Sequence, residues 1–230
     1  MTVPEPAARS PKAEQTRRAI VDSAMRLFRD KGYGKTTMRA IASEAGVSLG
    51  NAYYYFGSKE HLIQAFYDQM QEEHAEAAGA VLARETVFAR RLEGVLLAWL
   101  DVAEPSHEFA GQFFKNAADP ASPLSPFSPE SAGARDASIA LFGSLVEGAD
   151  LKLAPALRQE LPQLLWLMQM GIVLFWVYDA SPGQARSRML VGRIVPVVDR
   201  LIRMSRLPVV RGVVDDVVAL VAALRSDAPS

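Results

Sequence analysis

The sequence predicts an all-α fold, a small N-terminal three-helix unit followed by a larger helical domain. Three observations carry this prediction. Apolar residues recur at helical spacing from Ile20 onward, no stretch shows convincing strand alternation, and Ser or Thr caps and Gly stops bracket the periodic runs. The 230 residues hold 25 Lys/Arg against 26 Asp/Glu, half are hydrophobic, and there is no cysteine. That composition excludes disordered, collagenous and disulfide-stapled classes, and with them cysteine zinc sites and redox dithiols. A chain of this length buries a core without metal or disulfide help.

Residues 1–11 are Pro/Ala-rich and polar and read as a disordered tail without a leader pattern, which implies a cytoplasmic protein. Ser10 and Pro11 form a cap and first-turn pair for a first helix. Its Ile20, Ala24, Leu27 and Phe28 fall at i, i+4, i+7 and i+8, and it runs to about Lys31. Gly32 and Gly34 break it. Thr36 or Thr37 caps a short second helix with Met38, Ile41, Ala42 and Ala45 on one face, and Gly46 stops it. Ser48 caps a third helix to Phe56, and Ser58 caps a fourth to about Ala83, roughly 40 Å long at 1.5 Å per residue.

Further helices are expected over 86–104, 106–118 and 131–147. Pro120, Pro123, Pro126 and Pro129 mark 119–135 as an extended connecting loop. Leu161–Asp179 and Pro182–Arg206 read as a helical hairpin. Its second arm is opened by a capping box of Ser181, Pro182 and Gln184 and kinked at Pro196. Val213, Val217, Leu220 and Leu224 place a last helix. The apolar run 164–178 is shorter than the roughly 18 to 20 residues a membrane span requires, so burial in protein is the better reading.

Two short helices separated by Gly46 and Val47, with an earlier helix packed on the first, form a helix-turn-helix, whose second helix usually enters the DNA major groove. Before the cut after Glu60 the chain carries ten Lys/Arg against six Asp/Glu, so a basic head precedes an acidic body. At 100° per residue Leu49, Gly50, Tyr53 and Tyr54 share one face of the third helix, while Ala52, Tyr55 and Phe56 point the other way. The free face has no acid. Gly50 permits close approach, the tyrosines suit phosphates, sugars and thymine methyls, and Asn51 can donate to and accept from a base edge. Ser58 turns exposed N–H groups toward a phosphate, with Lys59 as a cation beside it. Tyr55 is ambiguous between packing and contact.

The stretch Gly34 to Leu62, GKTTMRAIASEAGVSLGNAYYYFGSKEHL, resembles the tetracycline-repressor (TetR) family of bacterial transcriptional regulators. The likeness covers about Thr16 to Phe66 and includes Thr36 and Thr37, Ile41 and Ala42, Ala45 to Ser48, Tyr53, Tyr55, Phe56, Ser58 and Lys59. It implies phosphate contacts from Thr37, Tyr53, Tyr55 and Lys59, and groove contacts from Ser48, Leu49, Gly50, Asn51 and Tyr54. This chain departs from the common pattern at Leu49 and Tyr55, so a base sequence does not carry over. The domains expected are a tail over 1–11, a helix-turn-helix DNA-binding domain over 12–60 and a helical effector-binding and dimerisation domain over 61–230.

Two motifs look chemical. Gly46 to Gly50 matches G-x-S-x-G, but a nucleophile elbow needs a strand before Ser48, and capping explains that serine. Gly34, Lys35 and Thr36 resemble the end of a P-loop whose first glycine would fall at Arg29. His61, His74 and His107 lack zinc-helix spacing and read as surface or boundary histidines. Catalysis, metal and cofactor are all excluded from the expectation. In the body, Leu164 to Tyr178 is apolar around nearly its whole circumference, which implies two covered faces. One would form a homodimer through a four-helix bundle of the two hairpins, with Gly171 allowing close approach. The other would line a cavity for a small apolar effector from some of Trp99, Phe113, Phe114, Trp166, Met170, Phe175 and Tyr178. The chain then reads as a ligand-responsive regulator of transcription, a repressor released from double-stranded DNA by its effector. A helical lipid or small-molecule carrier, or an enzyme with the N-terminal helices as mere packing, is the alternative.

Overall fold

The computed structural model describes residues 10–108, 110–111, 114, 125–205, 212, 216 and 219, and every regular element among them is helical. The chain divides into two compact units. The first takes residues up to Asp68 together with 108–131, and the second takes Gln69–His107 and everything from Ala132 onward.

In the first unit, α1 (Pro11–Lys31) starts where Ser10 Oγ accepts the Ala13 N–H at 3.3 Å, and ends where the Gly32 N–H closes on the Phe28 carbonyl at 2.9 Å. Thr37 caps α2 (Met38–Glu44), its Oγ1 accepting from Ala40 N at 3.2 Å. Thr36 takes a different job: it is buried, its hydroxyl set against the carbonyls of Leu27 at 3.1 Å and Gly32 at 3.0 Å. Gly46 has φ +67°, a left-handed conformation that a side chain would strain, and it turns the chain into α3 (Leu49–Tyr55). Ser48 Oγ accepts the Asn51 N–H at 3.1 Å and Ser58 Oγ the His61 N–H at 3.4 Å, opening α3 and α4 (Lys59–Leu82). Ile20, Ala24 and Phe28 of α1, Ile41 of α2, Ala52 of α3, the following Phe56, and Leu62 and Ile63 of α4 close one core.

The second unit continues α4 past Asp68 and adds α5 (Phe88–Ala103), α6 (Ala132–Glu147), α7 (Pro155–Val177) and α8 (Ala185–Met204). Within it α6 packs on α7, α5 on α8, and α7 on α8. Val87 offers no side-chain acceptor to start α5, so Asp150 does: its Oδ1 accepts the Phe88 N–H at 2.9 Å while its own N–H returns to the Thr86 carbonyl at 2.9 Å. Arg91 is buried and donates to the carbonyls of Leu82, Glu85, Ser144 and Leu145, ending α4 and α6 together.

Several expectations change. The seventh helix begins at Pro155, not Leu161, and accommodates Pro162 inside its second turn, because buried Leu157 and Glu160 anchor the extra turns. At 23 residues it is long and apolar enough to cross a membrane, so length does not exclude that; 39% of its most apolar window is buried within this protein. The capping box at Ser181 does not form. Gln184 adopts φ +47°, and Ser181 Oγ donates to Asp179 at 2.6 Å while accepting the Arg186 N–H at 3.1 Å, so Asp179 organises the start of α8. The helix runs from Ala185 to Met204 with Pro196 inside it. His74 is neither a surface nor a boundary residue but fully buried, whereas His107 is half-buried at the boundary. Most of 106–118 and of the last helix, including Phe113, Val213, Val217, Leu220 and Leu224, lies outside the described residues.

Candidate nucleic-acid interface

Helix α3 is seven residues long and two-sided. Ala52 and the following Phe56 are sealed in the core, Leu49 and Tyr55 pack partly against it, and Gly50, Asn51, Tyr53 and Tyr54 face outward. Tyr54 is 82% exposed and Tyr53 51%, far more than a ring recruited for packing. Tyr54 is steadied edge-on by the Tyr55 ring at 5.3 Å. Leu49 departs from the free face assigned by the helical wheel, because α3 enters the core at its first residue as well as its last. Ser48 is exposed, its Oγ holding the Asn51 N–H, which explains the serine of the G-x-S-x-G match as a cap.

The flanks carry the cations. Thr37 is exposed at the start of α2, with Lys35 before it and Arg39 in the first turn, both exposed. Sequence reasoning passed over Arg39; the signal was a basic residue two positions after the capping threonine. Lys59 is half-buried: its Nζ donates to the Tyr33 carbonyl at 2.8 Å and lies 4.2 Å from the centre of the Tyr33 ring. The Tyr33 hydroxyl in turn donates to Glu60. That bond holds the Glu60 carboxyl below its usual range, while burial, with Glu60 adding to it, pushes the Tyr33 hydroxyl up. Glu44, the acid nearest α3 in sequence on its N-terminal side, pairs with Arg26 at 3.7 Å. Both acids bracketing α3 are thereby occupied, and its exposed face carries none.

In the second unit the residues expected to line a cavity separate. Trp166 is buried, and Trp99 and Met170 are half-buried; the Trp99 and Trp176 rings meet edge-on at 5.2 Å. Phe114 is half-buried within the first unit, and Phe113 lies outside the described residues. Phe175 and Tyr178 are exposed, since at 100° per residue they fall with Leu167 and Leu174 on the side of α7 opposite buried Ile172 and Trp176. The interior instead holds polar groups that apolar patterning missed. His74 Nε2 meets the Val95 carbonyl at 3.0 Å, and burial lowers the His74 pKa. His107 Nε2 meets the Trp176 carbonyl at 2.8 Å, and Gln169 is buried.

Comparison with known proteins agrees with this layout. Residues 20–66 match the family model described as bacterial regulatory proteins, tetR family, and residues 91–220 match the tetracyclin repressor-like C-terminal domain. The HTH-type transcriptional regulator TtgR of Pseudomonas putida is 37% identical over 76 residues, 33% of this chain and 36% of its own length. The A-factor receptor protein of Streptomyces griseus is 40% identical over 62 residues, 27% and 22% of the two chains. The match thus spans about a third or less of these curated relatives. In fold, a TetR transcriptional regulator from Nitrosomonas europaea aligns with TM-score 0.61 at 20% identity over 80% of this chain and 97% of its own. FadR of Thermus thermophilus, a TetR-family repressor solved with lauroyl-CoA, aligns with TM-score 0.56 at 21% identity over 78% and 93%. The Pseudomonas and Nitrosomonas proteins carry the names of transcriptional regulators and the Streptomyces protein that of a receptor. Because the C-terminal match alone covers more than half of the sequence and the helix-turn-helix match precedes it, the chain belongs to the TetR family of bacterial transcriptional regulators.

Proposed function

We propose that this regulator is a repressor that binds a near-palindromic operator as a homodimer in the cytoplasm and is released by a small effector. One observation carries the DNA assignment: α3 hides Ala52 and Phe56 yet leaves Asn51, Tyr53 and Tyr54 outside, on a face without acids. In this reading Gly50, Asn51 and Tyr54, with Ser48 and Leu49 at the helix start, meet base edges. Thr37, Arg39, Tyr53, Tyr55 and Lys59 meet phosphates. Residues 12–60 serve DNA, and 61–230 serve effector and partner.

Exposed apolar side chains support the homodimer. Leu167, Leu174 and Phe175 on α7 with Tyr178 capping its end, and Met189, Val197, Leu201 and Met204 on α8, line the outside of the hairpin. Around Gly171 nothing lies within 4 Å of where a Cβ would stand, leaving room for a second helix. A two-fold dimer sets its readers about 34 to 36 Å apart, or a multiple of that, which makes the operator near-palindromic. A fold neighbour captured with lauroyl-CoA supports a small effector for the body. Release follows when the effector binds better to the conformation whose reader spacing misfits, a coupling of about 1 to 3 kcal/mol.

The test is fluorescence anisotropy on DNA fragments recovered genome-wide with the protein, over a salt series. Tyr54→Ala should alter sequence preference. Arg39→Ala and Lys59→Ala should weaken binding to all sequences and each lower the log–log salt slope by about 1. Absence of sequence-preferring binding at about 0.1 M salt, or unchanged affinity in all three variants, refutes the assignment.

A further inference from the structure

A lysine is an unfavourable first residue for a helix, because its charge opposes the positive end of the helix dipole. Lys59 stands at that position of the 24-residue α4, yet its side chain is half-buried and not swung out into solvent. Two groups of a single residue hold it there. The Tyr33 carbonyl accepts from Lys59 Nζ at 2.8 Å, and the centre of the Tyr33 ring lies 4.2 Å from the same atom. Tyr33 is itself tied down. It follows Gly32, whose φ of +83° turns the chain out of α1, and its ring tilts against buried Phe28 at 5.0 Å. Its carbonyl also accepts the Thr36 N–H at 3.3 Å, and the Thr36 hydroxyl is bound to the Leu27 and Gly32 carbonyls.

An ammonium has three N–H donors, so the bond to one carbonyl leaves two for the oxygens of a phosphate. A lysine free in solvent gives up rotamer entropy when it takes such a contact, and one already held gives up less. The hydroxyl end of the same tyrosine does a second job. It donates to Glu60, the residue after Lys59 and the first-turn acid of α4. An unengaged carboxylate at that place would compete with a phosphate for the neighbouring ammonium and repel the phosphate as well. Ammonium and carboxylate, adjacent in sequence, are instead held by different groups of one side chain and its backbone.

We infer that Tyr33 is a positioning residue for DNA binding: its carbonyl and ring hold the Lys59 ammonium ready for a backbone phosphate, and its hydroxyl keeps Glu60 from taking that ammonium. This rests on the DNA-binding reading above and adds to it a residue that acts on the phosphate only through Lys59. A staple that merely joined the 32–37 loop to α4 would contribute to stability and leave operator affinity independent of Lys59.

The test is fluorescence anisotropy of the intact protein on a recovered operator fragment at about 0.1 M salt, with thermal melting of every variant alongside. Tyr33→Leu should weaken binding about tenfold when Lys59 is present and less than about twofold when Lys59 is already Ala. Tyr33→Phe keeps the ring and the carbonyl and should weaken binding about threefold; Glu60→Gln should regain about threefold on that background, more than it gains in the unaltered protein. Equal losses for Tyr33→Leu with and without Lys59 overturn the inference in favour of a staple, and so does a Tyr33→Phe loss that Glu60→Gln does not reverse. Should Tyr33→Leu fail to fold by circular dichroism, Tyr33→Phe with and without Glu60→Gln decides alone. Lys59→Ala binding as tightly as the unaltered protein overturns the inference, while a changed sequence preference in Tyr54→Ala would still uphold the DNA reading. Absence of sequence-preferring binding by the unaltered protein overturns both.

Discussion

Replacing Arg91 with Met removes a side chain that ends two helices. Its guanidinium donates from Nε to the Leu145 carbonyl at 2.9 Å, from Nη1 to Leu82 at 2.8 Å and Glu85 at 2.5 Å, and from Nη2 to Ser144 at 2.8 Å. Leu82 lies in the last turn of α4, and Ser144 and Leu145 in the last turn of α6, where carbonyls have no intrahelical donor. Ser144 retains the Gly148 N–H at 3.2 Å. Among the described hydrogen bonds, the other three carbonyls accept from Arg91 alone. An unpaired buried carbonyl costs about 1 to 3 kcal/mol; with Leu145 dry and the other two partly wet, the total is about 4 kcal/mol. For a chain of this size that lowers the melting temperature by about 10 °C. Arg91→Lys should recover at most about half, because one ammonium cannot span the ends of both helices. Gly148→Ala should also destabilise, since a Cβ there overlaps Arg91 Nη2, a group pinned by its carbonyls. The assay is thermal melting by circular dichroism at fixed protein concentration. A drop of less than about 3 °C for Arg91→Met would refute the capping account.

Asp179 is predicted to give the stability an acid limb. Burial works to raise its pKa, but hydrogen bonds from Ser181 and Ser187 outweigh burial and hold it well below the usual carboxylate range. Its contribution is therefore complete above about pH 4 and fades as the pH falls. Asp179→Asn should be less stable by about 2 kcal/mol at neutral pH, with the gap closing in acid; denaturant unfolding at several pH values measures it, and a constant gap contradicts it. On the exposed side of α7, Leu174→Glu should yield a folded monomer with weakened operator binding. A persisting dimer by light scattering would move the interface elsewhere.

The helices up to Tyr55 were legible because their signals are local. A threonine, a glycine and a serine placed before, between and after short periodic runs specify caps and a turn using groups within four residues of one another. The division of Ala52 and Phe56 from Tyr53 and Tyr54 followed from helical period alone. Leu49 went astray because seven residues make too short a helix for the wheel to be sharp at its first position. In the body, periodicity found the helices but not their contents. The start of α7 was misplaced because apolar density rises only at Leu161, whereas the helix starts at Pro155. Phe175 and Tyr178 could not be told from Trp176 while the whole helix read as apolar.

The resemblance to the family, the all-α class, the short helix α3 and its outward tyrosines belong to the chain as written, since each rests on short-range spacing that any neighbouring residues must obey. Arg91 on the ends of two helices, Asp150 starting α5 from 62 residues away, and His74 turned inward against Val95 arise from partners distant in the chain. No local pattern encodes such pairs, because burial is a property of what packs around a residue and not of the residue's own place in a repeat.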